Sequence, residues 1–220
     1  MSRIGLIDYG MGNLHSVRRG FERLGATVEP VQRPEQFENC RALVLPGVGA
    51  FDPAMERLHA SGLVPALKQW CQADRPLLGI CLGLQLLFEG SDEGQAAGLG
   101  LLAGRVRALP RTPGHPVPHM GWAPLLPATP TPLLPLGAEP AWVYFVHSYA
   151  AEPREPSAIA ARVRFGEMEV TAAVWQGSIA ACQFHPEKSS SDGQAMLRRW
   201  LDWVEGRGNG TPKHRPVPSL

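Results

Sequence analysis

The run Pro76-Leu77-Leu78-Gly79-Ile80-Cys81-Leu82-Gly83-Leu84-Gln85-Leu86-Leu87-Phe88 decides the fold. Its first part is a short apolar stretch bounded by proline, which reads as a buried strand over Pro76 to Ile80, and Leu82 to Phe88 reads as the helix after it. Gly79 and Gly83 remove side chains that would obstruct a sharp strand-to-helix turn. Cys81 at the junction therefore protrudes above the sheet, as in a nucleophile elbow with Cys in place of Ser. The free N–H of Leu82 can donate to an oxyanion formed on an attacked carbonyl. G-x-C-x-G is a short pattern, and a buried core cysteine is the competing reading. That reading fits Cys40, Cys71 and Cys182 well.

Upstream, Arg3 to Tyr9 reads as a buried strand running into a glycine turn, Gly10-Met11-Gly12, and then a helix over Leu14 to Leu24 ended by Gly25. Ala26 to Val31 and Ala42 to Leu45 are further strands. Phe51 to Cys71 is helical in character, broken near Gly62 and Pro65. Alternating short apolar strands and helices define an α/β class, with a parallel sheet covered on both faces. After Gly104 the texture becomes β-type over Arg105 to Leu109, Ala141 to Ala150, Ser157 to Phe165, Met168 to Val174 and Ser178 to Phe184, which predicts antiparallel strands in the second half. The proline-dense stretch Pro110 to Pro140 excludes a helix and reads as extended loops. Gln194 to Val204 has apolar residues at helical spacing and predicts a closing helix. One domain over residues 1–205 is expected, with a disordered Gly/Pro-rich tail from Gly206 to Leu220.

Composition supports this. A chain of 220 residues with 44% hydrophobic content can bury a substantial core. A formal charge of +1 supplies no general field to attract nucleic acid or an anionic membrane, so neither is an expected partner. Four cysteines in a chain this well supplied with core residues read as reduced thiols of a cytoplasmic protein. No secretory leader or membrane-length apolar run is legible.

About a hundred residues after Cys81 comes Gln183-Phe184-His185-Pro186-Glu187. In an extended segment residues two apart share a side, so Glu187 can reach the His185 imidazole and hold its tautomer. Nucleophile, base and carboxylate together point to acyl transfer through a thioester. Pro46-Gly47-Val48-Gly49 follows a strand and precedes a helix, where backbone N–H groups can approach a ligand closely. Gly10-Met11-Gly12-Asn13-Leu14-His15 imitates a dinucleotide fingerprint, but His15 stands where the third glycine belongs. Cys182-x-x-His185 has no second ligand pair at zinc spacing, and His115 and His119 lie in the proline-rich stretch, so no metal is expected.

With Cys81, His185 and Glu187 in this order and Pro46-Gly47-Val48-Gly49 upstream, the chain resembles the class I (triad-type) glutamine amidotransferases. That resemblance implies a flavodoxin-like fold with a mostly parallel central sheet. More narrowly, the chain resembles the glutaminase subunits of imidazole glycerol phosphate synthase, of histidine biosynthesis. The residues behind the narrower resemblance are Asp8-Tyr9-Gly10-Met11-Gly12-Asn13-Leu14, Pro46 to Phe51, Pro118-His119-Met120-Gly121-Trp122, Tyr144-Phe145-Val146-His147-Ser148-Tyr149 and Gln183 to Ser189. One departure is visible: Ala123 stands where such subunits usually have Asn.

The resemblance implies that Cys81 attacks the side-chain amide of glutamine. His185, oriented by Glu187, passes a proton to the leaving ammonia and then activates water against the glutamyl thioester. It implies that Val48 or Gly49, with Leu82, forms the oxyanion hole, and that Gln85, Glu93, Ser148 and Tyr149 hold the amino-acid end of glutamine. No cofactor is implied. Ammonia needs an acceptor site, expected on another polypeptide. The resemblance names it as the cyclase subunit, a (β/α)₈ barrel in a heterodimer with this chain, and implies that Asn13, Trp122, Tyr144 and Lys188 lie near that interface. It also implies a glutaminase nearly silent until the partner's site is occupied, with the Gly47-Val48-Gly49 backbone reorienting on activation. Competing readings are a glutaminase serving anthranilate or pyridoxal phosphate synthesis, a non-catalytic regulatory subunit, and a Cys-His peptidase on a similar fold.

Overall fold

The apolar runs of the first half become strands β1 (Arg3–Ile7), β2 (Thr27–Val31), β3 (Ala42–Gly47) and β4 (Leu77–Cys81), all parallel to their neighbours. Helices α1 (Leu14–Glu22), α2 (Phe51–Ala60) and α3 (Val64–Gln72) lie between them, and α4 (Leu82–Leu86) follows β4 directly. The second half contributes β5 (Gly104–Ala108), β6 (His119–Pro124), β7 (Leu126–Pro127), β8 (Trp142–His147), β9 (Tyr149–Pro153), β10 (Ile159–Phe165), β11 (Met168–Gln176) and β12 (Ile179–Cys182), then the closing helix α5 (Ser190–Arg207). This computed structural model describes residues 3–111, 113–134 and 139–207.

One eight-stranded sheet runs β2-β1-β3-β4-β12-β11-β10-β7. Strand β12 joins β4 in parallel, and β11, β10 and β7 continue antiparallel. Two ribbons, β5-β9 and β6-β8, flank it. The strands read as continuous apolar runs because each side of the sheet is covered. Ile4, Leu6, Val44, Leu78 and Ile80 pack with Phe21 of α1 and Met196, Leu197 and Trp200 of α5. The alternate residues Ile7, Leu43, Leu45 and Leu77 pack with Phe51, Met55 and Leu58 of α2 and Leu67 and Trp70 of α3. Period-two alternation thus sends each strand into two cores.

Several boundaries differ from the sequence expectation. Helix α4 stops at Leu86 rather than Phe88, because the carbonyls of Leu86 and Leu87 are taken by the N–H groups of Leu99, Leu101 and Leu102 at 2.8–3.0 Å instead of a further helical turn. The stretch expected to be only extended loop contains β6 and β7. Ala141 to Ala150, expected as one β segment, splits at Ser148 into β8 and β9, which serve different ribbons. Helix α5 takes in Gly206 and Arg207; the rest of the expected tail lies outside the described residues.

Candidate active site

The site forms at the carboxyl ends of the neighbouring strands β3, β4 and β12, where open α/β sheets place their ligands. Cys81, the last residue of β4, has φ 57 and ψ −114, a conformation a non-glycine residue adopts at a cost of about 1–3 kcal/mol. Backbone packing enforces it. A methyl group at Gly79 would lie 3.0 Å from the Gly83 carbonyl oxygen, and one at Gly47 would lie 2.9 Å from the Gly83 nitrogen. The glycines therefore do more than permit a turn: they let the end of β3 lie directly against the elbow. All four cysteines are free thiols. Burial raises Cys40, pushes Cys71 up to about 12 and holds Cys182 well above the usual thiol range, which favours the unreactive thiol form at all three; Cys40 and Cys182 are buried and Cys71 half-buried.

Gly47 pairs with Cys81 across the β3–β4 ladder, which brings Gly47-Val48-Gly49 beside the elbow. Gly49 sits at φ 95, in the left-handed region open to glycine. The Tyr9 hydroxyl donates to the Pro46 carbonyl at 2.9 Å and fixes the entrance to this segment. Burial, with the Cys81 charge second, raises the Tyr9 hydroxyl, so it stays a donor.

His185 follows β12, which pairs Cys182 with Ile80. Its Nδ1 lies 2.8 Å from Glu187 Oε1, with side-chain exposures of 4% and 1%. The reason for their meeting is not the extended geometry expected. His185 is extended, but Pro186–Lys188 forms a 3-10 turn that swings Glu187 back beneath the ring. The His185 N–H donates to the Tyr144 carbonyl at 3.1 Å, and the Ser189 hydroxyl donates to the His185 carbonyl at 2.7 Å, so both sides of the backbone are held. Burial pushes the imidazole down, but hydrogen bonds and charges from Cys81 and Glu187 outweigh it and raise His185 to about 9.

Cys81 and His185 open into one cavity of about 350 Å³, a size suited to a small ligand. Val48, Gly49, Leu82, Gln85, Glu93, Ser148 and Tyr149 line it too, so these residues carried over from the resemblance converge, whereas Gly47, paired with Cys81, does not line it. Glu93 is held by its loop: Oε2 accepts the Phe51 N–H at 2.9 Å and caps α2, while Asp52 accepts the N–H groups of Gln95 and Ala96. Among the described residues no group of three His, Cys, Asp or Glu could hold a metal.

The residues expected near a partner divide. Trp122 and Tyr144 are cross-strand partners in the β6-β8 ribbon, with ring centroids 6.0 Å apart. Trp122 is 50% exposed, which excludes plain core packing. Lys188 is exposed on the turn carrying Glu187. Asn13 caps α1, its oxygen accepting the Ser16 N–H at 3.2 Å. Sequence reasoning missed Met120 and Trp142, 62% and 52% exposed on the same face of the ribbon as Trp122. Ala123 lies on the opposite face, against the core.

An elbow cysteine facing a His–Glu pair over a small cavity defines a class: a family model described as glutamine amidotransferase class-I matches residues 5–203, and the chain belongs to that family. The structure of PurLQS from Thermotoga maritima superposes with a TM-score of 0.73 over 93% of this chain and 100% of that one, at 17% identity, a likeness of fold alone. The particular relatives are narrower. Imidazole glycerol phosphate synthase subunit HisH 2 of Parasynechococcus marenigrum (strain WH8102) is 59% identical over 202 residues, 92% of this chain and 95% of the relative. The HisH subunit of Synechococcus sp. (strain CC9605) is 58% identical over 209 residues, 95% and 98% of the two chains.

Proposed function

We propose that this chain is the glutaminase subunit of a cytoplasmic imidazole glycerol phosphate synthase, hydrolysing glutamine and passing ammonia to a separate cyclase subunit. The observation that carries the reading is the convergence of Cys81 and the Glu187-held His185 on one cavity. High identity to subunits named HisH supports the specific assignment.

In this account the Cys81 thiol gives its proton to His185 Nε2 and Sγ attacks the glutamine side-chain carbonyl. The oxyanion is met by the N–H of Leu82 and that of Val48 or Gly49. His185, protonated by the thiol in the attack, returns the proton to the departing nitrogen, so ammonia leaves and the glutamyl thioester remains. Water, deprotonated by His185, then attacks the thioester carbonyl and Sγ departs, giving glutamate and the free thiol. Gln85, Glu93, Ser148 and Tyr149 hold the α-amino and α-carboxyl groups, with Glu93 opposite the ammonium.

The cyclase subunit docks on the face formed by Met120, Trp122, Trp142 and Tyr144, flanked by Asn13 and Lys188. Large exposed aromatics on a rigid ribbon are the residue types that anchor interfaces. Val146, on that same face, also lines the cavity, so docking adjoins the chemistry. A chloroketone analogue of glutamine tests the site: mass spectrometry should find it on Cys81 alone. Labelling that instead falls on Cys40, Cys71 or Cys182 contradicts the reading.

A further inference from the structure

The Gln85 amide is committed before any ligand arrives. Its Nε2 donates to the Tyr149 carbonyl and to Gln183 Oε1, each at 3.1 Å, which uses both hydrogens and leaves Oε1 as the atom it can offer a ligand. The same Tyr149 carbonyl lies 2.9 Å from His147 Nδ1. A carbonyl only accepts, so His147 carries its proton on Nδ1 and its Nε2 is an acceptor. That nitrogen lies 3.2 Å from His119 Nδ1, which therefore donates.

The two histidines are direct cross-strand partners on β6 and β8, and His119 stacks on Phe145 at 4.9 Å and 18°. Burial drives His147 down to about 4, and burial followed by the neighbouring His115 lowers His119. Both rings are neutral at pH 7, so the tautomers assigned above are the ones present.

We propose that His147 and His119 are positioning residues of the glutamine site: a two-imidazole relay that pins the Tyr149 carbonyl and, through it, turns the Gln85 oxygen toward the α-ammonium of glutamine. This inference rests on the glutaminase reading. Without the relay the carbonyl has one partner fewer and the Gln85 amide can rotate, presenting NH₂ to a cation. The loss falls on binding of the amino-acid end, which is shared by ground state and transition state.

The test uses the full chain with a cyclase subunit and glutamine as substrate. His147→Leu should raise the glutamine KM about tenfold with kcat changed less than about threefold. His147→Asn, whose Nδ2 sits where Nδ1 sat, should recover most of that loss. His119→Phe keeps the stack but removes the donor, and should raise KM about threefold. Equal defects in the Leu and Asn variants, or a fall in kcat in place of the KM change, overturn the inference. If His147→Leu does not fold, ring ¹⁵N spectra of the wild type decide: both rings should be protonated at Nδ1, and a proton on His147 Nε2 overturns it. Wild-type protein inert toward glutamine would instead sink the glutaminase reading, and the inference with it.

Discussion

Gly83 lies so close to Leu45 that a methyl group on Gly83 would overlap the Leu45 carbonyl oxygen. The elbow is thus held by backbone meeting backbone between α4 and β3. Gly83→Ala should destabilise the protein by about 1–3 kcal/mol and displace Cys81. Urea unfolding would read the first effect and slower alkylation of Cys81 the second; unchanged values for both would count against this origin of the strained turn.

The charge state of His185 depends on its two partners. Cys81→Ala should lower it well below about 9, since burial then acts against Glu187 alone. Ring-proton titration by NMR measures this directly. Glu187→Gln should lower it as well, and should reduce kcat by about 100-fold or more with little change in KM.

His147 predicts how the protein responds to acid. Its native value of about 4 lies below the ordinary 6.5, so between those pH values the unfolded chain binds a proton that the native one refuses. The stability it protects is complete above pH 6.5 and is lost as the pH falls toward 4, on the order of 3 kcal/mol in all. Urea unfolding across that window should show a shallower pH slope for His147→Asn than for the wild type.

Tyr9 anchors the segment beside the elbow through its 2.9 Å bond to the Pro46 carbonyl. Tyr9→Phe leaves that buried oxygen unpaired and should cost about 1–2 kcal/mol of stability. Thermal unfolding checks it.

The exposed aromatic face predicts a separable effect. Trp122→Ala should weaken cyclase binding about tenfold or more while leaving the unfolding midpoint unchanged, because a half-exposed ring supplies little to the core. Calorimetric titration of the two subunits, with thermal melts of the variant alone, separates these outcomes.

The central sheet was legible because burial on two faces writes itself as unbroken apolar runs: Ala42 to Leu45 and Pro76 to Ile80 both became strands. Cys81 was legible because its flanking glycines are needed for the close approach of β3. What escaped depended on distant backbone. Leu82 to Phe88 has no periodicity to mark its end, since residues 82–88 are all buried, and the stop at Leu86 is set by N–H groups beginning at Leu99. Strand β6 was hidden among prolines, and its pairing with β8 is what gives His119 a partner 28 residues away. His185 and Glu187 were paired correctly from their spacing, yet a 3-10 turn rather than a strand brings them together.

The most direct test of the central claim is the synthase reaction of this chain mixed with a cyclase subunit, supplied in turn with glutamine and with ammonia. Cys81→Ala should abolish glutamine-dependent product and leave ammonia-dependent product intact. Glutamine-dependent synthesis that survives Cys81→Ala would contradict it.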